Sequence, residues 1–187
     1  MMRHLLLSCF LFTCGTMLAP EAAGQYPQGI SAQASLGFSF GGGGTFHNRE
    51  GIALDAVLGF PLQHTPLGTL TGGLSAGAHG PITSDLVCLI GPNNECAPDF
   101  PLFLSLGALL GVQRGSATGS TARLLGGPAY FLAQEGGAAL GMQGRLEVAA
   151  PPFLHVAPVV SLRGALLPSF QGSVLRSVSL GVGLRAQ

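Results

Sequence analysis

The stretch Ile30-Ser31-Ala32-Gln33-Ala34-Ser35-Leu36-Gly37-Phe38-Ser39-Phe40 decides how the chain is read. Its even positions are all apolar: Ile30, Ala32, Ala34, Leu36, Phe38 and Phe40. Its odd positions are Ser31, Gln33, Ser35, Gly37 and Ser39. Successive side chains of a strand point to opposite faces, so this is a strand with one apolar face and one small, polar face. A helical period would scatter both sets around the circumference. Gly41-Gly42-Gly43-Gly44 ends the run, and Ile52, Leu54, Ala56, Leu58 and Phe60 restart it around Asp55.

Moving outward from that pair, the same two-residue period recurs between Gly- and Pro-rich breaks. A third strand is expected over Thr69 to His79, a fourth over Leu102 to Val112 and a fifth over Thr121 to Leu132. The sixth carries Leu140, Met142, Leu146 and Val148 opposite Gly141, Gln143, Arg145 and Glu147. The seventh sets Leu154, Val156, Val160, Leu162 and Leu166 against His155, Ser161 and Arg163. The eighth sets Val178, Leu180, Val182 and Leu184 against Ser177, Ser179, Gly181, Gly183 and Arg185. Each is about ten residues, the length a tilted strand needs to cross a bilayer. Pro128 and Pro158 fall mid-strand and lack a ladder donor, so a β-bulge is expected at each, with Gly126-Gly127 assisting the first.

Composition agrees with an apolar chain rich in turns. Of 187 residues, 47% are hydrophobic and 9% charged, the formal net charge is zero and there is no Lys. An ordinary soluble domain carries roughly 25% charged residues. Mean hydropathy is +0.49. A basic face for nucleic acid is therefore absent, while 30 Gly and 13 Pro argue against a bundle of membrane helices.

The first residues belong to targeting rather than to the fold. Met1-Met2-Arg3-His4 is a basic start, and Leu5 to Ala19 is an apolar run too short and interrupted for a good span. Ala22-Ala23-Gly24 supplies the small residues of a cleavage site, so 1–24 reads as a signal peptide and 25–187 as the mature barrel domain. The alternative is an uncleaved amino-terminal anchor. Cleavage would leave Cys88 and Cys96, which in an exported chain read as a disulfide worth about 2–3 kcal/mol.

The composition of the two faces decides which one points inward. The face of Ser, Thr and Gly is too small and sparsely charged for a solvated exterior, and it suits the inside of a narrow cylinder. The face of Leu, Val, Ala and Phe suits lipid. Asp55, Arg123, Arg145, Glu147, Arg163 and Arg185 all share the polar face. Buried charge persists when paired, so these six are expected to form an interior network that plugs the barrel. Val57, Phe103, Leu109, Leu125 and Phe131 are the apolar minority on that face, and His79 and His155 are expected there too. Arg176 falls on the apolar parity, near a strand end.

With eight alternating strands, a signal peptide and an ending of Ser179-Leu180-Gly181-Val182-Gly183-Leu184-Arg185-Ala186-Gln187, the chain resembles the small outer-membrane β-barrels that include the OmpA transmembrane domain and OmpX. The resemblance covers about residues 30–187. It implies an all-β, eight-stranded antiparallel up-and-down transmembrane barrel in the bacterial outer membrane, monomeric, with both termini on the periplasmic side. Outward loops then fall near Gly41–Glu50, Pro81–Asp99, Ala133–Gly137 and Leu167–Ser173. Ser179, Leu180, Gly181 and Leu184 match the assembly signal of such barrels, although the family usually closes on an aromatic residue where this chain has Ala186 and Gln187. Implied partners are outer-membrane lipids, the barrel assembly machinery and an extracellular ligand met through the loops. Phe40, Phe60, Phe100, Phe153 and Tyr130 stand where aromatic girdles would be.

No enzymatic chemistry is expected, nor a metal or cofactor. Some barrels of this class modify lipid A at a lipid-facing His, Ser and carboxylate, whereas His155, Ser161 and Glu147 read as interior. Gly41–Gly44 lacks the Lys-Ser/Thr and helix of a phosphate loop. The leading reading is a structural or surface-interaction barrel. Passage of small hydrophobic molecules and a soluble secreted β-barrel binding protein are the alternatives.

Overall fold

A computed structural model describes residues 29–43, 46–81, 102–116, 118–133, 137–170 and 173–186. The expected signal peptide, all four cysteines and Phe100 lie outside the described residues. Eight strands run β1 Ser31–Gly43, β2 Phe46–Thr65, β3 Gly68–Pro81, β4 Phe103–Gly115, β5 Thr121–Ala133, β6 Ala138–Ala149, β7 Val156–Phe170 and β8 Ser173–Ala186. Each pairs antiparallel with the next, and β8 pairs with β1, so the sheet is a closed up-and-down barrel. Closure removes every free edge.

Following the register from Leu166 on β7 through Met142, Pro128, Ala108, Leu74, Leu58, Ala32 and Ala186 returns to β7 at Val156, ten residues along. A shear of that size over eight strands tilts them by about 40° and leaves a radius near 8 Å, enough to hold side chains and little else.

The polar face turns inward. Ser31, Gln33, Ser35 and Ser39 of β1 are buried, while Leu36, Phe38 and Phe40 are 55–65% exposed. The same inversion continues with Leu54, Leu74, Leu106, Leu124, Leu140, Leu162 and Leu180 outside, and Thr71, Ser105, Arg123, Arg145 and Arg163 inside. Among side chains described, the charges outside the interior are Glu50, Arg114 and Arg176, all near strand ends.

Several local expectations are corrected. Neither central proline makes a bulge. At Pro128 the β4–β5 ladder skips the rungs of Ala108 and Leu109 yet keeps its register, and the β5–β6 ladder runs through Pro128↔Met142 unbroken. Pro158 sits one residue beyond the last β6–β7 rung, where Ala150 N still donates to its carbonyl at 2.9 Å, so only a terminal donor is missing. Register shifts occur instead between Gly41 and Gly43, Pro61 and Gln63, and Leu167 and Phe170. Pro61 is tolerated because β1 pairs no further along β2 than Gly59.

Gly41–Glu50 and Leu167–Ser173 are largely hairpin strand rather than loop, with Gly41↔Arg49 and Leu167↔Leu175 paired. Glycine weakens a strand but does not forbid its ladder, and pairing prevails here. Residues 82–99 and 134–136 of the other two expected loops lie outside the described residues. Leu154 and His155 are exposed in the β6–β7 turn with φ of 50° and 68°, not on a strand with His155 inward. A tight turn after Pro151-Pro152 requires that left-handed pair.

Candidate functional site in the barrel interior

The alternation that exposes leucines also aims the long polar side chains of the middle of the strands at the barrel axis. Glu147 on β6 is fully buried and accepts from Arg185 Nη2 at 2.6 Å, Gln33 Nε2 at 2.9 Å and Arg145 Nη1 at 3.4 Å. Arg185 on β8 also donates through Nε and Nη2 to Gln33 Oε1, at 3.0 and 2.9 Å, and through Nη1 to Thr121 Oγ1 at 3.0 Å. Arg123 on β5 donates from Nε to Gln113 Oε1 at 2.9 Å and from Nη2 to Ser31 Oγ at 3.0 Å.

A second carboxylate organises the middle of the barrel. Asp55 Oδ1 on β2 lies 2.5 Å from Arg163 Nη1 and 3.0 Å from Arg145 Nη2. His79 Nε2 is 3.5 Å from the same oxygen and lies against Arg163 Nη1. Arg163 Nη2 donates to Ser105 Oγ at 2.9 Å. Arg145 meets both carboxylates, so the two groups are one connected network. Gln143 Nε2 donates to Ser75 Oγ at 2.6 Å beside it.

Glycines make the room. A Cβ at Gly77 would stand 2.5 Å from Asp55 Oδ1 and 2.7 Å from Arg163 Nη1, and one at Gly59 would stand 2.7 Å from Arg123 Nη1. An interior near 8 Å in radius holds long guanidinium groups only where facing positions lack side chains.

Toward the loop side the filling changes. Phe103, Ala129, Phe131, Ala139, Ala165, Leu167 and Leu175, from the loop-side ends of β4 to β8, pack into one buried apolar cluster. Val57, Leu109 and Leu125 form a smaller cluster.

The side chains of all six residues expected in a charge network are thus at most 6% exposed and within ion-pair reach through shared partners. Sequence reasoning missed their neutral partners Gln33, Gln113, Thr121, Ser31 and Ser105. Their signal was inward parity on the same strands, but pairing them requires the register. Glu147 and Ser161 face each other across β6 and β7, whereas His155 is in the exposed turn, so the three do not converge. Of the carboxy-terminal assembly residues, Ser179 and Gly181 point inward and Leu180 and Leu184 outward. Cys88 and Cys96 lie outside the described residues.

No family model and no curated protein matches the chain by sequence. Solved structures do. Neisserial surface protein A (NspA) is similar over 84% of this chain and 96% of its own, with a TM-score of 0.58 and 14% identity. Ail, the attachment invasion locus protein of Yersinia pestis, covers 84% of this chain and 99% of its own, with a TM-score of 0.47 and 12% identity. The likeness to NspA shows a shared fold, that of the small eight-stranded barrels the alternating strands resembled.

Proposed function

We propose that the chain is an outer-membrane β-barrel with a structural or surface-interaction role, its interior closed by side chains and its loops serving as the contact surface. The observation that carries this reading is the inversion of the barrel. Leu36, Phe38, Leu106, Leu140 and Val182 are 55–68% exposed around a core holding six charged side chains at or near full burial. In water this would expose a very large apolar surface. In a bilayer it places Leu and Phe against acyl chains along a belt about 25 Å tall.

Closure follows from what fills the cylinder. Salt-bridged guanidinium groups occupy the middle and the terminus side, and Phe103, Phe131, Leu167 and Leu175 fill the loop side. That filling favours a plugged barrel over one passing small hydrophobic molecules. Export by a signal peptide ending at Gly24, and a Cys88–Cys96 disulfide in the β3–β4 connection, belong to the same reading.

The test is envelope fractionation followed by gel mobility with and without boiling. The expected result is a band in the outer-membrane fraction that migrates differently once heated, because a closed barrel leaves no edge from which to unzip. Recovery without detergent, with no heat-dependent shift, overturns the membrane reading.

A further inference from the structure

We propose that the terminus-side mouth of the barrel is a binding site for a small oxyanion, a phosphate or carboxylate carried by a soluble molecule. A cavity of about 430 Å³ opens there among the first residues of β1, the β2–β3 hairpin and the β4–β5 and β6–β7 turns. Its polar lining includes Ser31, Thr69, Thr71, Gln113, Thr118, Arg123 and His155, and among the described residues no carboxylate lines it. A volume of this order suits a small solute.

Arg123 carries the argument. It is 3% exposed, and Gln113 and Ser31 hold two corners of its guanidinium, which fixes the plane of the fork. Among the described residues no acceptor takes up Nη1. Glu147 Oε2 is 3.8 Å away and already receives Arg185 at 2.6 Å. Gly59 lines the cavity and lets Nη1 come close to it, since a Cβ there would stand 2.7 Å from that nitrogen. A buried, oriented guanidinium donor without an acceptor is costly, and an oxyanion satisfies it best through a charge-assisted bond.

The charge balance of the interior points the same way. Among the described residues Arg123, Arg145, Arg163 and Arg185 face Asp55 and Glu147 alone, so guanidinium groups outnumber carboxylates there. Among the described residues the loop-side half is filled by apolar side chains. An oxyanion beside Arg123, which lines the cavity, would add negative charge to this cationic interior. The mouth lies between turns at the end of the cylinder rather than on its apolar wall, which favours a soluble anion over a lipid headgroup.

The experiment titrates inorganic phosphate into the full chain in non-ionic detergent, following the arginine side-chain N–H resonances by NMR with acetate as competitor. The expected result is a saturable shift at Arg123 that acetate reverses. Arg123→Gln should weaken binding by about tenfold or more, the loss of one charged hydrogen bond. Should that variant fail to close, Leu154 provides a second handle, being 78% exposed on the rim with a φ of 50° that Asp and Asn accept. Leu154→Asp supplies a tethered carboxylate and should weaken phosphate by about tenfold relative to Leu154→Asn, both judged closed by heat-dependent mobility. Absence of a saturable shift, binding only when anionic lipid is added, or equal affinity in the two Leu154 variants would overturn the proposal.

Discussion

The terminus-side half of the interior holds Gln33, Glu147 and Arg185 in continuous hydrogen bonding with Arg123 3.8 Å from Glu147, whereas the loop-side half packs Phe103, Phe131, Leu167 and Leu175 into an apolar cluster. Both fill the same narrow cylinder. The first is held by matching donors to acceptors, so its weakness is the loss of a partner. The second is held by matching volume, so its weakness is a hole. The two halves should therefore fail differently when a single side chain is trimmed.

The largest effect is expected at Glu147, which serves Gln33, Arg145 and Arg185 at zero exposure. Glu147→Gln leaves buried guanidinium groups uncompensated and should cost about 3–5 kcal/mol. The midpoint of urea unfolding in detergent, followed by circular dichroism because the chain has no Trp, measures it. The double variant Glu147→Gln with Arg185→Gln should cost less than the sum of its parts, since the charge and its partner leave together. Full additivity would mean that the ionic half is not a coupled network.

In the loop-side half, Phe131→Ala should cost about 3 kcal/mol through lost burial and the cavity left behind. Phe131→Leu keeps most of the volume and should cost less than about 1.5 kcal/mol. No charge balance is at stake, so these losses should be insensitive to salt. A loss at Phe131→Ala under about 1 kcal/mol would show that this half collapses around the gap, and that the halves differ less than their residues suggest.

Much of this contrast was legible before the fold was seen, because a strand's side chains alternate by backbone geometry alone. Period two is enough to place Asp55 and Arg163 on one face and Leu54 and Leu162 on the other. The contacts between them were not legible. Gln33 and Arg185 are 152 residues apart in sequence and meet because β8 closes on β1 in one register. That register depends on every hairpin before it. Phe103 and Phe131 could be listed as inward residues, but Leu167 and Leu175 sat in or beside an expected loop. The apolar cluster they complete stayed hidden. His155 was misplaced because two left-handed residues in succession leave no mark in an alternating pattern. The free corner of Arg123 was out of reach too, since it depends on what Gly59 lacks.

The smallest effects test whether the ionic half is governed by pairing alone. If it were, adding one methyl beside the network without removing any partner would be harmless. Gly77 faces Asp55 Oδ1 and Arg163 Nη1 so closely that a Cβ would stand 2.5 and 2.7 Å from them. Those atoms end flexible side chains, but His79, Arg145 and Ser105 hold them from other directions. Gly77→Ala should therefore cost about 1–3 kcal/mol, the usual range for overpacking. Gly164 on β7 has the opposite surroundings, with nothing within 4 Å of an added Cβ. Gly164→Ala should be neutral or stabilising by up to about 1 kcal/mol, through the restricted unfolded chain. Unfolding midpoints of the two variants, measured side by side, separate the cases. Equal midpoints would mean that the network moves aside to admit a methyl, leaving space rather than pairing as the property that sets the two halves apart.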